Sequence, residues 1–171
     1  MREGSSGFTL LEVMVATAVL ALVVALGAPA FDGLMTRART ANAAHLVTAS
    51  FAQARMEAIR RNRTVTVCPT RDGRTCRRDL DWSEGWLLFV GASADAHPIV
   101  PIAVVQERKS LILKATSGRP LIRFRPDGQA EGSNVTLRIC DRDGRQLLAE
   151  VVLSNSGRTR TARPDGRRCP S

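Results

Sequence analysis

Tyrosine is missing altogether from these 171 residues, and the other aromatics amount to five phenylalanines and two tryptophans. So few rings exclude a stacking platform for single-stranded nucleic acid. Two histidines and four cysteines leave little for general acid–base work or metal ligation. Neither His45 nor His97 lies near a cysteine, and no paired-carboxylate or nucleophile motif stands out. No catalytic residue, metal site or cofactor is therefore expected. Lysine is scarce as well. Only Lys109 and Lys114 occur, so the 25 basic residues, set against 16 acidic ones, are almost all arginine. The net charge of +9 and the pI near 11.0 imply attraction to polyanions, either nucleic acid or acidic lipid, and say nothing about fold. With 44% apolar and 24% charged residues, no repeat and no low-complexity tract, the composition is otherwise that of an ordinary globular protein with one domain.

One long stretch is almost free of charge. From Phe8 to Phe31 the chain reads FTLLEVMVATAVLALVVALGAPAF, apolar on every side of a helix apart from Glu12. At about 1.5 Å rise per residue such a helix reaches about 35 Å, enough to cross a hydrocarbon core of about 30 Å. The plain alternative is a secretory signal cleaved after Ala28-Pro29-Ala30. Against it, the run is long for a signal core and contains Glu12, and the leader's Arg2 and Glu3 cancel.

A carboxylate in lipid costs about 3 kcal/mol or more unless it is paired, so Glu12 is a functional position unless it only snorkels to the nearby interface. A cut after Gly7 gives Phe8 a new α-amino group four residues before Glu12. In an assembly of staggered helices, that amine on one subunit neutralises Glu12 on its neighbour. Gly7-Phe8-Thr9-Leu10-Leu11-Glu12-Val13 resembles the type IV prepilin signature, a glycine followed by F-T-L-x-E. The resemblance implies a prepilin peptidase that cleaves between Gly7 and Phe8 and methylates the Phe8 amine, and it makes Glu12 the assembly glutamate. It also implies a single-pass inner-membrane protein with a periplasmic head, which then joins other major and minor pilins and reaches the cell surface in the pilus.

After Phe31 a helical pattern continues. Leu34, Ala38, Ala41, Ala44, Val47, Phe51, Ala54 and Ala58 recur at three- and four-residue steps and form one apolar stripe of mostly small residues, suited to close packing on a sheet. Asn62 is a fitting end, just before the β-branched run Thr64-Val65-Thr66-Val67. Strands are predicted over 64–68, 86–90, 99–105, 111–114, 121–125, 135–140 and 146–154. Asp72-Gly73, Asp127-Gly128 and Asp143-Gly144 mark tight turns between them. The expected class is α+β, a long N-terminal helix packed on an antiparallel sheet, which is the type IV pilin fold that the resemblance implies. The expected divisions are a leader over 1–7, a transmembrane and assembly helix over 8–31, an amphipathic helix over 32–62 and a β-rich head over 63–171.

All four cysteines lie beyond the apolar run, and their spacing lacks the close pairs of a zinc site. In an oxidising compartment two disulfides are expected. Of three possible connectivities the preferred one joins Cys68 to Cys76 around the Asp72-Gly73 turn, and Cys140 to Cys169, which pins the tail onto the last hairpin.

That tail, Gly157-Arg158-Thr159-Arg160-Thr161-Ala162-Arg163-Pro164-Asp165-Gly166-Arg167-Arg168, sets five arginines against one aspartate. Guanidinium groups fork onto phosphate oxygens, so phosphate contact without sequence preference is the expected chemistry; a solvated loop that keeps the head soluble is the bland alternative. The chain is also similar to the FimT/GspH family of minor pilins and pseudopilins. The similar stretches are 54–62, Val67-Cys68-Pro69, Trp82 with Gly85-Trp86, Phe124-Arg125-Pro126-Asp127-Gly128 and Ser154-Asn155-Ser156-Gly157-Arg158. Gly157-Arg158-Thr159-Arg160 matches the G-R-x-R motif with which FimT-type minor pilins bind DNA in natural transformation, which implies Arg158 and Arg160 as DNA-contacting residues. Arg163, Arg167 and Arg168 are added on charge alone. Two expectations compete: a minor pilin that binds extracellular DNA for uptake, and a structural minor pilin or type II secretion pseudopilin without a DNA role. Gly91–Pro101 has no assigned role.

Overall fold

In the computed structural model, which describes residues 8–92, 101–106, 111–116, 118, 120–130, 132, 134–164 and 167–169, Thr9 caps a helix, α1, that runs Leu10–Arg61. The Glu12 amide donates to Thr9 Oγ1 (3.3 Å) and the Thr9 amide donates to Glu12 Oε2 (3.2 Å), a reciprocal pair that satisfies two amides left over at the helix start. At the other end Asn62 takes a φ of 48°, the left-handed conformation in which helices stop, and the Arg63 amide closes back on the Ala58 carbonyl (3.2 Å).

The helix is shared between two compact units, one ending at Ala38 and the other beginning at Arg39. In the first, Val13, Val15, Leu20 and Leu22 are all exposed although they lie on different sides of the helix. Among the described residues α1 is long and apolar enough to cross a membrane. In the second unit the predicted stripe becomes core from Ala44 through Val47, Phe51, Ala54 and Ala58, with Ala43 added. Leu34 and Ala38 continue the same periodicity but are exposed, so burial follows the unit rather than the pattern.

The second unit holds two antiparallel four-stranded sheets among the described residues, where the sequence suggested one. The first is ordered β3 (Pro101–Gln106), β2 (Gly85–Val90), β1 (Val65–Pro69), β5 (Ile122–Phe124). The second is ordered β4 (Ile112–Ala115), β6 (Val135–Cys140), β7 (Leu147–Leu153), β8 (Thr159–Ala162). The predicted strand at 99–105 begins in residues outside those described, as does most of the Gly91–Pro101 segment. Both sheets and the helix share one core. Phe51 sits edge-on to Trp82 (6.3 Å between ring centroids) and tilted against Phe124 (6.2 Å), and the buried Trp86 Nε1 donates to Ser50 Oγ (2.8 Å). In β7, Leu147, Ala149, Val151 and Leu153 are buried while the residues between them are half-buried, the alternation of a strand with one covered face. β1 is buried throughout, because Cys68, Leu87 and Phe89 form a second small cluster with Cys76 and Leu121.

Candidate functional site

Two disulfides hold the head's loops. Cys68 is joined to Cys76, closing the turn that carries Asp72, and Cys140 of β6 is joined to Cys169 in the tail. In the first loop the Asp72 carboxylate accepts the amides of Arg74 (2.9 Å) and Thr75 (2.8 Å) as well as both threonine hydroxyls beside it, and these bonds hold its pKa well below the ordinary carboxylate range. In the second, the disulfide brings the chain end back to the sheet.

The tail arginines lie along one edge of the second sheet. β8 pairs with β7 in the register Leu153–Thr159, Val152–Arg160, Val151–Thr161 and Glu150–Ala162. Arg160 therefore shares a face with half-buried Val152, on the side away from the buried Val151 and Leu153. After β8 the chain returns to the same edge. The Leu147 amide donates to the Arg167 carbonyl (2.9 Å), Arg168 bridges to Gln146, and the Cys169 amide donates to the Arg145 carbonyl (3.1 Å). Arg158, Arg160, Arg163, Arg167 and Arg168 are all exposed along an edge of about 20 Å, taking about 3.3 Å per residue of β7. Among the described residues none of the five forms an ion pair. Asp165 and Gly166 lie outside the described residues. β8 is not among the strands expected from the sequence: Thr-Arg-Thr-Ala carries no apolar alternation and is a strand because β7 supplies a partner edge.

Gly157 is the pivot of this arrangement. Its φ is 73°, and a Cβ built there would stand 2.3 Å from the Gly128 carbonyl oxygen. Two turns thus meet with no room for a side chain, and the Ala130 amide bonds to the Asn155 carbonyl (2.9 Å) across them. Arg55 of α1 lies beneath both, its Nη1 donating to the Gly157 carbonyl (3.4 Å) and its Nε 3.0 Å from where a Gly128 Cβ would be. Three of the stretches singled out in the sequence, 54–62, 124–128 and 154–158, come together at this one place. The sequence offered no signal for that convergence.

At the N-terminal site the Glu12 carboxylate is engaged by Thr9 within the same chain, the T-x-x-E spacing of a helix cap, for which the sequence carries a local signal. Gly7 lies outside the described residues; Phe8 is 85% exposed. Among the described residues no cluster of histidine, cysteine and carboxylate side chains could hold a metal ion.

Comparison with known proteins gives the frame for both sites. The family model described as type II transport protein GspH matches residues 43–157, and that of the prokaryotic N-terminal methylation motif matches residues 3–28. No curated protein matches the sequence. Among solved structures, the type IV minor pilin FimU of Pseudomonas aeruginosa is 22% identical, with a TM-score of 0.60 over 79% of this chain and 96% of its own. The minor pseudopilin EpsH of the Vibrio cholerae type 2 secretion system is 16% identical, with a TM-score of 0.50 over 72% of this chain and 95% of its own. Escherichia coli GspH is 19% identical, with a TM-score of 0.51 over 77% and 94%. At these identities the structures establish the fold, a long N-terminal helix on antiparallel sheets. The methylation motif carries with it processing by a prepilin peptidase and assembly with other pilins from a membrane-anchored precursor. With its model matched over most of the chain, the protein belongs to the GspH family, the structural, non-enzymatic minor pilins and pseudopilins of type IV pili and type II secretion.

Proposed function

We propose that this chain is a minor pilin that joins a type IV pilus and binds extracellular DNA through its C-terminal arginines, for uptake in natural transformation. The observation that carries the reading is the G-R-x-R segment: Arg158 and Arg160 are exposed at the start of an edge strand, on a turn fixed by Gly157, with Arg163, Arg167 and Arg168 following along the same edge. Phosphate binding by guanidinium groups needs no sequence preference and falls steeply with salt, since each contact releases counterions. One head contacts few phosphates and binds weakly; several heads in a filament raise the effective affinity.

In the same reading residues 1–7 are a leader removed by hydrolysis of the Gly7–Phe8 peptide bond, and the Phe8 amine is methylated. The helix over 8–31 spans the inner membrane until assembly, 32–62 is its amphipathic continuation, and 63–171 forms the head. Glu12 exchanges its bond to Thr9 for the Phe8 amine of an adjoining subunit, and the protein moves from the inner membrane, head in the periplasm, to the cell surface. The second reading, a structural minor pilin or secretion pseudopilin with no DNA role, is favoured by the match to the GspH family model.

Gel retardation of labelled duplex DNA by the full chain in neutral detergent separates the two. Retardation by the parent, lost in Arg158→Ala/Arg160→Ala, is expected. Equal binding by both proteins, or none by the parent, rejects the DNA reading.

A further inference from the structure

The tail is not alone at its end of the head. The turn holding Gly128 rests on Arg55 and Ile59 in the last turns of α1, and the turn holding Gly157 rests on Gly128 and Arg55. Arg125 opens the first of these turns: its amide donates to the Gln129 carbonyl (2.8 Å), and its side chain is exposed. Arg63 follows directly on the end of α1, its amide closing on the Ala58 carbonyl (3.2 Å). Arg158 follows Gly157 directly. Arg125 and Arg158 thus belong to turns that pack on the last turns of α1, and Arg63 follows that helix, whose final turn carries Arg60 and Arg61.

The local acids do not cancel them. Glu57 is engaged by Arg60 and Arg61, whose hydrogen bonds lower its pKa, and Asp127 faces Arg125 at 3.6 Å with both side chains in solvent. A pair of that kind contributes little and yields readily to phosphate. Among the described residues Arg63 and Arg158 have no ion pair. We infer that Arg63 and Arg125 are phosphate contacts in their own right, so that the DNA-binding surface begins at the C-terminal end of α1 and continues through Arg158 and Arg160 onto the tail. The inference rests on the reading of Arg158 and Arg160 as DNA contacts and extends the site onto a part of the fold that the tail motif does not include. The expected ligand is a nucleic-acid duplex held by its backbone.

The test is the salt dependence of binding to a short random-sequence duplex, with the full chain in neutral detergent. Each phosphate contact contributes about 0.9 to the slope of log K against log salt, which amounts to about fivefold in affinity at about 0.15 M salt. Arg63→Gln and Arg125→Gln are each expected to lower the slope by about 0.9 and to weaken binding about fivefold. Arg63→Lys and Arg125→Lys, which keep the charge, retain the slope. Arg74→Gln removes the same charge from the Cys68–Cys76 loop at the opposite end of β1, and leaves the slope unchanged. Glutamine variants that behave like Arg74→Gln, while Arg158→Ala/Arg160→Ala abolishes binding, overturn this inference and leave the tail reading intact. A parent chain that binds no DNA overturns both. Loss of binding to phosphatidylglycerol vesicles without loss of binding to DNA identifies a lipid contact and also overturns it.

Discussion

Replacing Gly157 by alanine puts the meeting of the two turns to a direct test. The left-handed φ of 73° costs an alanine about 1 kcal/mol of backbone strain. The methyl group also lands 2.3 Å from the Gly128 carbonyl oxygen, a backbone atom that no side-chain rotation can clear. The turns must part, and the bond from the Ala130 amide to the Asn155 carbonyl opens, for about 1 kcal/mol more. Together with the disturbed Arg55 contact the loss is about 2–3 kcal/mol, a fall of about 6–15 °C in the melting midpoint of a unit this size. Gly144→Ala is the matched control. Its φ of 67° imposes the same strain, but its Cβ would meet only Ile112 Cδ1 at 3.4 Å, an ordinary contact at the edge of tightness. It should cost about 1 kcal/mol, or about 3–5 °C. Thermal unfolding of the two full-chain variants, followed by circular dichroism in the same detergent, measures the difference. Equal falls would refute the close approach of the turns at Gly157.

Ser50→Ala leaves the Trp86 indole N–H, fully buried, without its acceptor, and should cost about 1–3 kcal/mol in the same melting assay, whereas Thr48→Ala, on the partly covered side of the helix, should cost less. Asp72 has a folded pKa below its unfolded one, so its contribution to stability is complete above about pH 4 and is lost as pH falls through the lower, folded value. The melting difference between the parent and Asp72→Asn should accordingly be constant above about pH 4 and shrink only below it. Serine in place of both Cys140 and Cys169 opens a 29-residue loop and should cost about 3–4 kcal/mol, read as the shift in denaturation midpoint; an unshifted midpoint would show that the tail adds nothing to the fold.

Much of this architecture is legible in the residues themselves. The apolar run from Phe8, interrupted only by Glu12, the small-residue stripe that becomes core from Ala44, and the stop at Asn62 each follow from local chemistry. So do the hairpin at Asp143-Gly144 and the strands with buried apolar alternation. What escaped depends on partners distant in sequence. β8 has no apolar pattern of its own and is a strand only because β7 offers an edge. Two sheets rather than one follow from the way β4 pairs with β6 and β5 with β1, crossings that no local spacing encodes. Arg55 reaches a carbonyl 102 residues away, so the site at Gly128 and Gly157 is written in three segments and visible in none of them alone. The Thr9–Glu12 cap is different: its T-x-x-E spacing is local, and the same carboxylate that is costly in lipid also serves as the helix start.

The reading of this protein as a DNA-capturing pilin is tested most directly by DNA uptake in a naturally transformable host that carries Arg158→Ala/Arg160→Ala in place of the parent, with surface pili measured in parallel. The account predicts lost uptake with normal piliation. Unchanged uptake would contradict it, and loss of the pili themselves would assign these arginines to assembly.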